Sequence, residues 1–161
     1  MAQINIAHPL FALDDPRMAD FMDGLDRINA LAERSDGFVW RLKGEGNDAT
    51  DLRFGFEQDA IVNMSLWRDI DALQRFVWTT VHRRFFDRKP EWFRMEPGQR
   101  NFVMWFVPEG QRPTLEEAAE RLARLRAYGS SKSAFGWEFV ETKRWLGRVE
   151  AADATTRESA A

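Results

Sequence analysis

Six stretches of the chain have the hydrophobic pattern of β-strands. In residues 2–8 and 60–67, apolar and polar side chains alternate, as expected of strands with one buried face. Residues 101–107 are almost all apolar, which indicates a strand that is buried on both faces. The predicted strands are residues 2–8, 38–43, 52–57, 60–67, 101–107 and 134–140.

Three other stretches carry apolar residues at three- and four-residue steps, the period of an amphipathic helix. An acidic N-cap at Asp14 or Asp15 followed by Pro16 predicts a helix start, because proline lacks the N–H that the first turn cannot use. Thr114 and Glu117 form a capping box at the start of the third helix. The predicted helices run from Pro16 to about Arg34, from Asp69 to Asp87 with Pro90 as the stop, and from Thr114 to near Gly129.

This order of elements, β-α-β-β-β-α-β-α-β, predicts an α+β fold. Its first part is the ferredoxin-like split βαβ arrangement with one added strand, an antiparallel sheet with helices on one face. Large apolar groups lie on the other face as well, in residues 101–107 and at Trp40 and Trp67. This second face must therefore be covered. We expect a second copy of the chain to cover it, which predicts a homodimer formed by sheet-on-sheet contact.

Length and composition fit one globular domain. The chain has 161 residues, 44% of them hydrophobic and 30% charged, which is typical of a protein with an ordinary core. We predict a single domain over residues 1–146. Residues 147–161 are small and polar without an apolar period, and we predict that they are a disordered tail.

Several classes of function are disfavoured by residue content. The absence of cysteine excludes disulfides, thiolate catalysis and cysteine-bound metals, and two histidines are too few for the usual histidine-rich metal site. We therefore expect no metal. A net charge of −3 argues against nucleic-acid binding. No apolar run is long enough to span a membrane and no signal peptide is visible, so we expect a cytoplasmic protein that does not bind membranes.

His82 is the most informative single residue. Trp78, His82, Phe85 and Phe86 would form a second apolar face on the helix 69–87, so His82 is either a hydrogen-bonded core residue or a base in a pocket. Cationic side chains follow it closely, at Arg83, Arg84, Arg88, Lys89 and Arg94. They could bind a carboxylate or enolate, or form a solvated helix face, or pair with the acidic first helix of a partner.

Tryptophans and strand amides complete the candidate site. Four tryptophans in one small domain with almost no tyrosine favour a flat apolar ligand, although core packing explains any single tryptophan; the four are Trp40, Trp67, Trp92 and Trp105. Asn5, Asn63, Ser65 and Asn29 could orient a ligand carbonyl or pair with one another, and Arg41 would face water or a dimer seam. The catalytic candidates are His82, Asn5 and Asn63. The substrate-binding candidates are Trp40, Trp67, Trp78, Arg83, Phe86, Trp92 and Trp105.

Four segments of the chain resemble a known bacterial family. They are LDDPRMADFMDGLDRINALAERSDGFVWRL, NMSLW, FVWTTVHRR with EWF, and FVMWFVPEGQRPTLEEAAERL, within residues 3–140. The family is the domain of unknown function 3291 family, which is similar in turn to the dimeric α+β barrel superfamily with its antibiotic-biosynthesis monooxygenases. The resemblance implies a dimeric α+β barrel with a pocket between sheet and helices in each half. Cofactor-free monooxygenases of that superfamily use Asn and Trp side chains to bind an aromatic substrate, and Asn5 and Trp67 are similarly placed.

Three functions of different classes remain open. The first is a small enzyme without a bound cofactor that acts on an apolar or aromatic molecule by oxygenation or proton transfer. The second, which the superfamily resemblance implies, is a haem protein with His82 as the axial ligand. The third is a non-catalytic, ligand-binding dimer, because no recognised catalytic motif is present.

Overall fold

A computed structural model describes residues 1–52, 59–80 and 82–143. Within these residues the protein is α+β, and four strands form one antiparallel sheet in the order β2-β3-β1-β4. The strands are β1 (Ala2–Ala7), β2 (Phe38–Arg41), β3 (Ile61–Trp67) and β4 (Phe102–Trp105).

The helices begin where the sequence signals predict. Asp15 Oδ1 accepts a hydrogen bond from Arg17 N at 2.9 Å, and Thr114 Oγ1 accepts one from Glu117 N at 3.1 Å, so both predicted N-caps are confirmed. A short 3₁₀ turn, Pro16–Met18, leads into the first helix. The helices are α1 (Ala19–Arg34), α2 (Ile70–Thr79), α3 (His82–Asp87), α4 (Lys89–Trp92) and α5 (Leu115–Tyr128).

Strand register separates two chemically different faces of the sheet. Asn5 of β1 lies opposite Asn63 of β3, and Gln3 lies opposite Ser65, so these polar side chains share one face. The opposite face is apolar, and its buried members on these two strands are Ala2, Ile4, Ile6, Val62, Met64 and Leu66. The predicted alternation along residues 2–8 and 60–67 is confirmed.

Helices cover both faces of the sheet, so the prediction of helices on one face is wrong. Helices α1 and α2 pack over the polar face, and Leu122 and Leu125 of α5 are buried in the same cluster as Ile4 and Val103 on the apolar face. An uncovered apolar face was the argument for sheet-on-sheet pairing, and α5 removes that argument. The homodimer itself stays a prediction.

The last predicted strand is wrong, because the residues after Gly136 are helical. Phe135 pairs with Met104 through N–H···O bonds of 2.8 and 3.0 Å, but residues 137–143 are helical. Trp137 stacks on Phe102 with ring centres 5.8 Å apart, so the apolar residues of this segment meet the core at helical spacing. The predicted strand 52–57 and the predicted tail 147–161 fall wholly or mostly outside the described residues.

The predicted helix over residues 69–87 is interrupted at Thr80. Thr80 has extended backbone angles (φ −113°, ψ −179°). Its hydroxyl donates to Phe76 O at 2.6 Å and accepts from His82 N at 3.2 Å. A threonine side chain that bonds the backbone in this way competes with the helix and ends it. His82 therefore starts a new helix, α3, and Pro90 lies in the first turn of α4, where proline is tolerated, instead of ending the predicted helix.

Candidate functional site

A cavity of about 370 Å³ lies between the polar face of the sheet and the helices. Strands β1 and β3 form its floor, α1 and α2 form its walls, and α3 and α4 close one side. Asn63 belongs to β3, a central strand of the sheet, yet its side chain is exposed. Solvent reaches this central position because no side chain of the described residues fills the space above it.

The floor of the cavity carries a hydrogen-bond network. Gln3 Nε2 donates to Asn63 Oδ1 at 3.0 Å and to Ser65 Oγ at 2.8 Å, and Trp67 Nε1 also donates to Ser65 Oγ at 2.8 Å. Because the Ser65 oxygen accepts two bonds, its own hydrogen is left to act as a donor. The network fixes the direction of each amide and hydroxyl, as a binding floor requires. Gln3 was not among the predicted site residues, although its alternation with Ile4 signalled that it shares a face with Asn5.

His82 lines the cavity from the start of α3. Its ring lies 4.9 Å from that of Phe76, which stacks on Trp67 at 5.1 Å. Burial lowers the pKa of His82 to about 4; the smaller influences are the Val77 backbone, which raises it, and Lys89, which lowers it. The buried Nδ1 makes no hydrogen bond of good geometry to any described residue. His82 is therefore a neutral imidazole at pH 7, connected to Trp67 through the Phe76 ring and on the opposite side of the sheet from Trp105.

Lys89 brings a positive charge to the same cavity from the first turn of α4. Its Nζ lies 4.8 Å from the centre of the Phe86 ring, and burial lowers its pKa from the usual value. Arg41 borders the cavity from β2 and is 6% exposed. Its Nε donates to Glu33 at 2.9 Å and its NH2 donates to Asn47 at 3.1 Å. The expectation that Arg41 faces water or a dimer seam is therefore wrong, because its side chain is already buried within a single chain.

The structure brings six of the ten predicted site residues to the cavity. They are Asn5, Asn63, Trp67, His82, Phe86 and Trp92. Asn29 and Ser65, which the sequence grouped with the strand asparagines, line it too. The aromatic wall also includes Phe21 and Phe93, whose rings meet edge to face at 4.9 Å.

Four predicted substrate-binding residues lie away from the cavity. Trp105 is fully buried on the α5 face, because strand alternation turns it away from Phe102 and Met104. Trp40 packs against the same apolar cluster. The register of β2 against β3 shifts between Phe38 and Trp40. Trp78 contacts Phe86 and Trp137 at 5.1 and 6.3 Å, and Arg83 pairs with Asp87 at 3.2 Å on an exposed surface.

The other arginines near His82 do not form the predicted anion clamp. Arg88 pairs with Glu91 at 2.8 Å and with Asp20 of α1 at 2.9 Å, and its guanidinium lies 4.6 Å from the Trp92 ring centre. Arg84 and Arg94 are exposed. These contacts join α4 to α1 at the surface, so among the five cationic residues predicted near His82 it is Lys89 that lines the cavity.

Gly24 sets how closely α3 approaches α1. A Cβ added at Gly24 would overlap Cε1 and Cζ of Phe85, so the ring lies directly on the α1 backbone. Phe85 belongs to the same short helix as His82 and contacts Trp92 with ring centres 5.9 Å apart. The small residue in the middle of α1 therefore positions the side of the cavity that carries His82. Sequence reasoning missed this role, because one glycine in a helix gives no sign of its partner.

Gly24→Ala is expected to lower the free energy of unfolding by about 1 kcal/mol, since overpacking outweighs the gain in helix propensity. In the Phe85→Ala background, the same change is expected to stabilise the protein, because the obstructing ring is absent. Urea denaturation of the four proteins measures both effects. The same sign in both backgrounds would contradict the contact.

Among residues 1–52, 59–80 and 82–143, no three His, Asp or Glu side chains cluster in a way that could bind a metal ion. None of the helices in those ranges combines the length and apolar character needed to cross a membrane.

Comparisons with known proteins identify one family. Curated proteins and solved structures gave no match to the chain. The family model described as Domain of unknown function (DUF3291) matches residues 1–147, which include every residue placed at the cavity. The chain therefore belongs to the DUF3291 family.

Proposed function

We propose that the cavity binds a small aromatic or apolar molecule that carries one polar oxygen group. The observation that carries this proposal is the cavity of about 370 Å³ with aromatic walls and a hydrogen-bonded amide floor. Small-molecule sites have this character, with volumes of roughly 300–1,000 Å³, apolar linings and a few fixed polar groups. The cavity lies at the low end of that range, which favours a ligand of one or two rings.

The cavity floor would donate a hydrogen bond to such a ligand, whereas His82 would accept one from it. The Ser65 hydroxyl can donate to a ligand oxygen, and Asn5 and Asn63 add amide groups beside it. Neutral His82 can accept a proton or a hydrogen bond from a ligand hydroxyl. In the catalytic form of this proposal, the reaction is monooxygenase-like: a CH2 or ring CH group of the substrate with its hydroxyl supplies all four electrons, one atom of molecular oxygen becomes a carbonyl oxygen of the product and the other leaves as water, and His82 takes the proton that the bound substrate loses first.

The strand order supports a ferredoxin-like arrangement for the first part of the chain. The order β2-β3-β1-β4, with α1 between β1 and β2 and α2 between β3 and β4, matches the split βαβ pattern.

We also propose that the protein is a homodimer. Because α5 covers the apolar face of the sheet, two copies would associate through another surface, and light scattering that reports the mass of a single chain would contradict the dimer.

Haem is the second candidate, and the cavity residues fit it poorly. His82 supplies an imidazole, but a porphyrin face over Asn63 and Ser65 would bury their polar groups against an apolar surface at a cost in free energy. Titration with haem tests this directly: a stable Soret band that His82→Ala abolishes would favour haem over the proposed ligand.

Ala32→Leu is expected to weaken binding of 2-naphthol, an aromatic molecule with one hydroxyl, at least tenfold. Ala32 is buried on α1 and lines the cavity, so a larger side chain fills the space that the ligand needs. Ala123→Leu on the exposed surface of α5 is the matched control and is expected to bind like the unchanged protein. Calorimetric titration measures the affinities, and circular dichroism checks that both variants are folded. Absence of binding to the unchanged protein, or equal binding by both variants, would contradict the proposal.

A further inference from the structure

We propose that the ligand of the cavity is an aromatic or apolar carboxylate, and that Lys89 is the cation that binds its carboxylate group. This inference rests on the proposed function and names the class of ligand.

Among the described residues, the charged groups at the cavity leave Lys89 without a counter-ion. Arg41 is already bonded to Glu33 and Asn47. Asp48, the acidic residue in the lining, accepts from the N–H of Thr50 at 2.9 Å and from its hydroxyl at 2.7 Å. Lys89 makes no ion pair with any residue in the described ranges, so the unpaired charge there is positive.

The neighbouring Arg88 explains why neither of the nearby described acids reaches Lys89. Asp20 and Glu91 are the carboxylates at this corner of α1 and α4, and Arg88 pairs with both. Lys89, one residue later, points toward the cavity instead and lies against Phe86. The sequence therefore supplies two adjacent cations with different roles, one joining surface elements and one facing the ligand space.

Burial makes this arrangement costly without a ligand anion. A half-buried ammonium loses hydration, and an aromatic ring returns only part of that free energy. Loss of hydration is the cause of the lowered pKa of Lys89, and no described carboxylate counteracts it. A bound carboxylate would supply the missing opposite charge and a charge-assisted hydrogen bond.

His82 fits the same ligand. Its imidazole is neutral at pH 7, so it adds no second positive charge and can donate one N–H to a carboxylate oxygen. The aromatic body would contact the rings of Trp92 and Phe21, which lie 5.7 Å apart on the cavity wall. An anion at one end and a flat apolar body at the other describe an aromatic acid.

Calorimetric titration at pH 7 with 2-naphthoate and with its uncharged analogue 2-naphthamide tests the inference. The unchanged protein is expected to bind the acid at least tenfold more tightly than the amide. In Lys89→Met, the affinity for the acid is expected to fall at least tenfold, while the affinity for the amide stays within about threefold. Lys132→Met, at an exposed lysine, is the matched control and is expected to retain the preference. Lys89→Arg keeps the positive charge and is expected to restore most of the preference for the acid.

Each contrary outcome has a distinct meaning. Equal binding of acid and amide by the unchanged protein would overturn the carboxylate inference and leave the proposed function standing. A preference that survives in a folded Lys89→Met would overturn the role of Lys89. Binding of neither probe would overturn both the inference and the proposed function.

Discussion

Replacing Trp67 by alanine is expected to lower the free energy of unfolding by about 4 kcal/mol. The Trp67 side chain is 1% exposed and joins the cavity floor to its wall. Its ring stacks on Phe76 at 5.1 Å and meets Phe38 edge to face at 5.5 Å, and its Nε1 donates to Ser65. Alanine removes these contacts together and enlarges the cavity. Urea denaturation followed by circular dichroism measures the loss.

Two further variants separate packing from hydrogen bonding at this position. Trp67→Phe keeps an aromatic ring but removes the bond to Ser65, so a loss of about 1–2 kcal/mol is expected. Trp40→Ala is the matched tryptophan control, because Trp40 is only half-buried at the edge of the apolar cluster, and a smaller loss is expected. Equal losses at positions 40 and 67 would contradict the structural role assigned to Trp67.

Between pH 7 and pH 5, the protein is expected to lose about 1.5 kcal/mol of stability through His82. The pKa of His82 is about 4 in the folded state, against 6.5 for an ordinary histidine, mainly because burial disfavours the charged ring. In this interval the unfolded chain therefore binds a proton that the folded protein does not, so stability falls as the pH falls from 6.5 toward 4. This expected loss of free energy is smaller than the full difference in pKa would give, because solvent reaches part of the His82 ring.

His82→Gln provides the control for this pH dependence. Glutamine remains neutral in both states, so the variant is expected to lose less stability than the unchanged protein between pH 7 and pH 5. The carboxylates whose pKa values are lowered, such as Asp15 at about 2, release their contribution at lower pH. Denaturant titrations at pH 7, 6, 5.5 and 5 measure the difference, and parallel curves for both proteins would show that His82 titrates normally.

The sequence predicts most of what depends on local pattern. Alternation along β1 and β3 places Asn5 and Asn63 on one face, and that face is the cavity floor. The caps at Asp15 and Thr114 follow from the hydrogen bonds that a helix start requires. Gln3 was within reach of the same reasoning, because a period of two gives it the same direction as Asn5.

Features that depend on tertiary contacts could not be predicted in this way. Periodicity shows that α5 has an apolar stripe but not which face of the sheet the stripe meets, so covering by a second chain was an equally valid interpretation. The end of α2 depends on one hydroxyl of Thr80, since the apolar period continues beyond it. The segment from Phe135 to Val140 has the alternating pattern of a strand, but only Phe135 pairs with β4, through Met104.

The two faces of the sheet separate the cavity floor from the hydrophobic core beneath α5 along the same strands. Odd-numbered positions of β1 and β3 form the cavity floor, and even-numbered positions form the core beneath α5. Substitutions at Asn5 or Asn63 therefore alter the cavity floor, where we propose that a ligand binds, while the hydrophobic side chains on the other face are unchanged. Under the proposed function, a directed-evolution library restricted to these two positions would vary ligand specificity and leave the core beneath α5 intact.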